Sequence, residues 1–125
     1  MTIDGTAFLA IPDADIPTLL QDTPYNTVKL QLCTLANISA ALAICKKAKK
    51  CKMAIIAAVS DTSEYPETPD TILSDLAVGF GAKQLSAGGM AVGECCSKYN
   101  RVLEIVEESG ESGVYVGAGF RVDKS

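Results

Sequence analysis

Two residue types bound the chemistry open to this chain: it has five cysteines and no histidine. Cys33, Cys45, Cys51, Cys95 and Cys96 are odd in number and irregularly spaced, which reads as reduced thiols rather than a disulfide framework. The neighbouring pair Cys95 and Cys96 is badly placed to hold one metal, and no histidine is present to complete a zinc set. The same absence removes every Ser-His or Cys-His nucleophile. These thiols are therefore expected to be small core residues. Five lysines crowd one stretch (Lys46, Lys47, Lys49, Lys50 and Lys52), yet the net charge is −4. A nucleic-acid partner is not expected on that balance, since counterion release needs a basic face. The cluster reads instead as a solvated helix face and its last turn, where cations suit the helix dipole. Hydroxyls and carboxylates gather in one long loop, Ser60–Pro69, SDTSEYPETP. It follows a strand, which is the functional end of a parallel α/β sheet.

The elements that position these groups alternate in kind. Val28–Cys33, VKLQLC, has strand periodicity, and Met53–Val59, MAIIAAV, is the continuous apolar run of a strand buried on both faces. Asn37 caps a helix in which Ile38, Ala41, Leu42, Cys45 and Ala48 recur at helical spacing. A second helix is read from about Asp70, with Ile72, Leu73, Leu76, Ala77 and Phe80 inward. A third is read from Gly93 to Ser109, with Cys96, Tyr99, Val102, Leu103 and Val106 inward and Glu94–Lys98 as an outer i,i+4 pair. Gly110 stops it. Lys83–Ala87 and Val114–Val116 are short strand candidates; Ile3–Ala10 reads as a strand leading to a short helix near Ile16, Leu19 and Leu20. The outcome is βα repeated about four times, which implies a parallel sheet in a single domain over 1–125.

Hydrophobic residues at 48% against 21% charged place the chain among globular domains. No apolar run reaches the ~18–20 residues of a membrane span. The start, MTIDGTAFLAIPDAD, has no basic segment or cleavage site, so a cytoplasmic location is expected. Periodicity alone does not choose between half of a (β/α)₈ barrel and a small open sheet; a complete barrel takes ~250 residues, and a chain of half that length favours a fragment of one.

Specific residues then carry a resemblance. Asp70–Gly79, DTILSDLAVG, closely resembles the enolase signature D-T-F-I-A-D-L-A-V-G, and Ser97–Glu108, SKYNRVLEIVEE, is similar to A-K-Y-N-Q-L-L-R-I-E-E-E. Gln84-Leu85 followed by Gly88 sits where enolases read Q-I-K-T-G-A-P. Asn26–Gln31, NTVKLQ, resembles N-A-L-L-L-K, and Ile3-Asp4-Gly5 falls at V-G-D-D. The resemblance is collinear over nearly the whole chain. It implies the last half of an enolase-type TIM barrel, about four βα units with parallel strands covered by helices.

The family's reaction converts 2-phosphoglycerate to phosphoenolpyruvate in glycolysis. It removes a weakly acidic proton, which needs a lysine base and Mg²⁺ to hold the enolate charge. The resemblance places a metal carboxylate at Thr6, which is followed by Ala7, and the base lysine at Gln31. Neither threonine nor carboxamide can do that work. The phosphate loop S-H-R-S-G matches Ser60, Asp61, Thr62, Ser63 and Glu64, so a cation is lost and an anion gained where phosphate would lie. The substrate-clamping lysine matches Ser86. Lys29 lies on the same strand face as Gln31 but ~6.6 Å lower, and is expected to fill the barrel interior; Lys83 is expected to be exposed.

The expectation is an enolase-like pseudoenzyme module with a structural or protein-interaction role and no cofactor of its own. The alternative is the C-terminal part of a phosphopyruvate hydratase acting in a longer chain. A third is a small-molecule module using the Ser60–Glu67 loop. The open edges of a half-barrel call for an upstream half-barrel of the same protein or a second copy. The chain also resembles a divergent enolase-like branch associated with sperm and motile cilia, which extends the expectation to axonemal partners and a ciliary or flagellar location.

Overall fold

The computed structural model of the chain describes residues 1–13, 15, 18, 24–31, 35, 37–59 and 68–120. Four strands alternate with helices: β1 (Thr2–Asp4), α1 (Gly5–Ala10), β2 (Thr27–Gln31), α2 (Ile38–Lys50), β3 (Ala54–Ala58), α3 (Ile72–Phe80), β4 (Gln84–Ser86) and α4 (Gly93–Ser109). Two single-turn 3₁₀ segments, Gly110–Ser112 and Gly117–Phe120, follow. The strands pair in the order β1-β2-β3-β4, every pair parallel. This is the parallel α/β arrangement expected of part of an enolase-type barrel. Consecutive parallel strands need a crossover between them, and the helices supply it.

The core lies between the sheet and the helices. Val28, Leu30, Ile55 and Ala57 point to that side and are almost fully buried. They meet Phe8 of α1 and Ala41, Ile44, Cys45 and Ala48 of α2 in one cluster, with Leu73 and Ala77 of α3 packed over Ala57 in another. Asn37 caps α2, its Oδ1 accepting the Ala40 N–H at 2.8 Å. α3 begins two residues later than expected because Asp70 stays outside it and accepts the Ile72 N–H at 2.7 Å. Gly110 ends α4 with φ +53.

The expected strand Ile3–Ala10 is corrected: pairing ends at Asp4 and Gly5–Ala10 is helical. Asp4 Oδ1 faces the Ala7 N–H at 3.5 Å, as a capping carboxylate would. Gly5 also permits a close approach, since a Cβ there would stand 3.0 Å from the Lys29 carbonyl oxygen. Val114–Val116 is not a strand either; it has no strand partner among the described residues, and Val114 and Tyr115 are 85% and 91% exposed.

The inward face of α3 is as expected at Leu73, Ala77 and Phe80 and is corrected at Ile72; that of α4 is corrected at Leu103 and Val106. Leu73, Ser74 and Ala77 are the buried residues of α3, while Ile72 is 47% exposed. In α4 the buried residues are Cys95 and Lys98; Leu103 and Val106 face solvent. Lys98 is thus not the outer half of an ion pair with Glu94. Its ammonium donates to the carbonyls of Thr68 (2.7 Å) and Glu94 (3.2 Å), which satisfies a buried cation. Its own carbonyl accepts the Ser74 hydroxyl at 2.8 Å, drawing α4 against α3. Outside, Arg101 joins the same helices through a forked contact with Asp75 (3.0 and 2.8 Å) and also reaches Glu104 and Glu108. That contact holds the Asp75 carboxyl below its ordinary range and the guanidinium above its own.

The short helix near Ile16, Leu19 and Leu20, together with Cys33 and the segment 60–67, lies outside the described residues. Cys45, Cys51, Cys95 and Cys96 are free thiols. Burial pushes the Cys45 thiol up, with Lys49 pulling the other way.

Candidate functional site at the strand ends

Strand pairing places residues of one parity on the face away from the helices. Asp4, Lys29, Ile56 and Gln84 form one row across all four strands. Gln31, Ala58 and Ser86 form the next row, at the carboxyl ends. In α/β sheets ligand chemistry sits beyond those ends. The structure therefore brings two of the sequence-derived positions, Gln31 and Ser86, into one row on the functional rim.

What joins them is Val59. Its N–H donates to the Ser86 carbonyl at 3.0 Å, and its carbonyl accepts the Gln31 side-chain amide at 3.2 Å. Gln31 is half-buried, and its amide braces β2 to the exit of β3. A carboxamide bound to a backbone carbonyl in this way is a structural tie; it offers no lone pair basic enough to take a carbon-bound proton. Ser86 is exposed.

Thr6 lies in α1, just past β1 and at the same end of the sheet. Asp4 is the nearest carboxylate in sequence, but it belongs to the lower row, opposite Lys29, and faces the first turn of α1. Among the described residues no three His, Cys, Asp or Glu side chains gather as a metal set. Threonine where a carboxylate is needed, and a capping aspartate beside it, do not fit a Mg²⁺ site that needs anionic oxygens. Ser60, Asp61 and Thr62 lie outside the described residues.

Lys29 shares the face of Gln31 one row down and is half-buried, as expected of an interior-filling residue. Lys83 is exposed as expected, and donates to the Gly119 carbonyl at 2.8 Å. The loop after β4 is fixed by Tyr99, whose hydroxyl donates to the Gly88 carbonyl at 2.7 Å. Gly88 has φ +87, and a Cβ there would lie 2.5 Å from Cys95 Sγ. Only glycine suits that position. Cys96 Sγ contacts the Met90 carbonyl at 2.9 Å in the same loop.

A cavity of about 700 Å³ opens elsewhere, between α3, α4 and the tail, with Leu85, Val102, Ile105 and Val116 among its lining. Because Gly81, Ala82 and Lys83 also line it, it lies toward the entry to β4, at the far end from Ser86.

The buried Lys98 and the Asp75–Arg101 contact were missed by sequence reasoning. The spacing of Arg101 to Glu104 and Glu108 was a signal for the outer half of that network; nothing local announces Asp75 or Thr68 as partners.

Residues 8–124 match the family described as Enolase, C-terminal TIM barrel domain. Over 52 residues the chain is 46% identical to a protein named Enolase from Solanum lycopersicum, a stretch that is 42% of this chain and 12% of that protein. Over 48 residues it is 53% identical to Enolase from Bifidobacterium longum strain DJO10A, covering 38% of this chain and 11% of that protein. The matched stretch is thus a small part of either relative.

Proposed function

The chain belongs to the enolase C-terminal TIM barrel domain family, and from that premise we propose that it is a member without the family's reaction, serving as a structural or protein-interaction module. The observation that carries this reading is Gln31. It stands at the carboxyl end of β2, where the resemblance puts the base, and its amide is engaged with the Val59 carbonyl at 3.2 Å. Ser86 in place of the clamping lysine and Thr6 in place of a metal carboxylate support it. Losing base, clamp and metal ligand together removes proton abstraction, substrate alignment and charge stabilisation at once.

What persists is the frame. Leu76, Val78 and Gly79 of α3 and Tyr99 and Asn100 of α4 keep the family pattern, and Tyr99 holds the β4–α4 loop. We place the module in a longer polypeptide whose upstream half-barrel covers the outer edges of β1 and β4, since exposed parallel edges invite pairing. By analogy alone, the setting is cytoplasmic and ciliary or flagellar.

The names of the matched relatives favour a second reading, in which the chain is part of a working phosphopyruvate hydratase. Calorimetric titration of 2-phosphoglycerate with Mg²⁺ into the protein separates the two. The proposal expects no saturable heat, for wild type or for Gln31→Lys, because restoring one group leaves the metal and phosphate contacts missing. Saturable, Mg²⁺-dependent binding would favour the hydratase.

A further inference from the structure

The outer faces of α2 and α4 carry apolar and charged residues in the same order with opposite sign. On α2, Ile38 and Leu42 are 52% and 40% exposed, and Lys46, Lys49 and Lys50 follow them into the last turn. On α4, Leu103 is 63% exposed, and Glu104, Glu107, Glu108 and then Glu111 follow. Residues four apart on a helix lie along one stripe. The stripe Leu42–Lys46 on α2 therefore corresponds to Leu103–Glu107 on α4; Lys50 extends the first stripe, and Glu111 lies past Gly110 in the 3₁₀ turn that follows α4. Laid parallel, the two stripes set leucine against leucine and Lys46 against Glu107, with Lys50 toward the acidic end of α4.

The acids of α4 are also gathered at the wrong end. The last turn of this helix has no basic residue, and carboxylates at a helix C-terminus face the negative end of its dipole. Arg101 neutralises part of that charge by holding Glu104 and Glu108. Glu107 and Glu111 have no ion pair among the described residues. A cationic surface laid along α4 relieves this local repulsion and covers Leu103 in one step. The surface of this protein with that chemistry is α2, offered by a second copy.

We propose that the chain associates with a second copy of itself through the α2 face of one molecule and the α4 face of the next. The contact is heterologous: each copy offers both faces, so association runs head to tail and closes into a ring or extends. It is distinct from closure of the barrel, which uses the outer edges of β1 and β4. It rests on the proposed interaction role only in giving that role a partner, and it can fail while that role stands.

The test is sedimentation equilibrium by analytical ultracentrifugation of the full chain from micromolar to millimolar concentration, with helical content checked by circular dichroism. The expected result is a mass that rises with concentration and falls with added salt. Two reversals, K46E/K50E and E107K/E111K, each reverse the charge at the lysine-rich or glutamate-rich end of one face and should weaken self-association on the order of tenfold. All four residues are exposed, so the fold should be kept. Mixing the two variants restores complementary faces and should restore association. A chain monomeric throughout would overturn the proposal. So would association indifferent to both reversals, the outcome if strand edges rather than helix faces join the copies, or reversals whose mixture does not recover.

Discussion

Replacing Gly88 by alanine should destabilise the fold by about 1–4.5 kcal/mol, and the structure says why. The residue sits at φ +87, where an L side chain costs about 1–2 kcal/mol. Its Cβ would also stand 2.5 Å from Cys95 Sγ, and Cys95 is 2% exposed. Forcing a methyl into such a packed contact costs about 1–3 kcal/mol. Against these, alanine restricts the unfolded chain and returns about 0.4–1 kcal/mol. Urea unfolding followed by circular dichroism reads the difference. The control is Gly89→Ala, one residue on, where an added Cβ meets nothing within 4 Å; it should stay within about 0.5 kcal/mol of wild type. Adding Cys95→Ala to Gly88→Ala should recover the contact part but not the backbone part, a favourable coupling of about 1–2 kcal/mol. If Gly88→Ala costs no more than Gly89→Ala, or if Cys95→Ala gives no coupling, the loop beside Ser86 is not held as described.

Other outcomes follow from the same structure. Ile44→Ala removes a fully buried side chain from the α2 core and should cost about 2–5 kcal/mol in the same assay. Asn37→Ala, which loses the bond to the Ala40 N–H, should cost about 1 kcal/mol. Asp75 is held below its ordinary carboxylate range by Arg101, so its contribution is present above the unfolded pKa and is lost as pH falls through the lower folded value. Asp75→Asn should therefore flatten the acid limb of the stability profile and leave the alkaline limb unchanged. Buried Cys45, its thiol pushed up, should resist alkylation at mildly alkaline pH in the native state while half-buried Cys96 reacts; equal labelling by mass spectrometry would contradict the packing.

The parallel sheet was legible because β2 and β3 carry unbroken apolar patterns, and α2 because Asn37 precedes a clean helical repeat. β1 was overextended: in so short a run as Ile3–Ala10 the strand and helix periods cannot be told apart, and the capping role of Asp4 decides it. Leu73 and Ala77 of α3 were legible as inward, but the rest of the α3 and α4 faces was not, for a physical reason. Ser74 and Lys98 are polar yet buried, each satisfied by a partner far along the chain, and no local pattern reveals such partners. At the rim, residue identities alone told that Gln31 and Ser86 lack the family's basicity. That Val59 ties both positions together was visible only in the fold.

The central claim is that the rim no longer does the family's chemistry, and turnover tests it most directly. Phosphoenolpyruvate formation from 2-phosphoglycerate should be followed with saturating Mg²⁺, using the longest polypeptide that contains this chain, purified from a host whose own enolase has been removed. The expected rate is indistinguishable from the buffer blank, for the wild type and for Gln31→Lys alike. Sustained, Mg²⁺-dependent turnover that scales with protein concentration would contradict it.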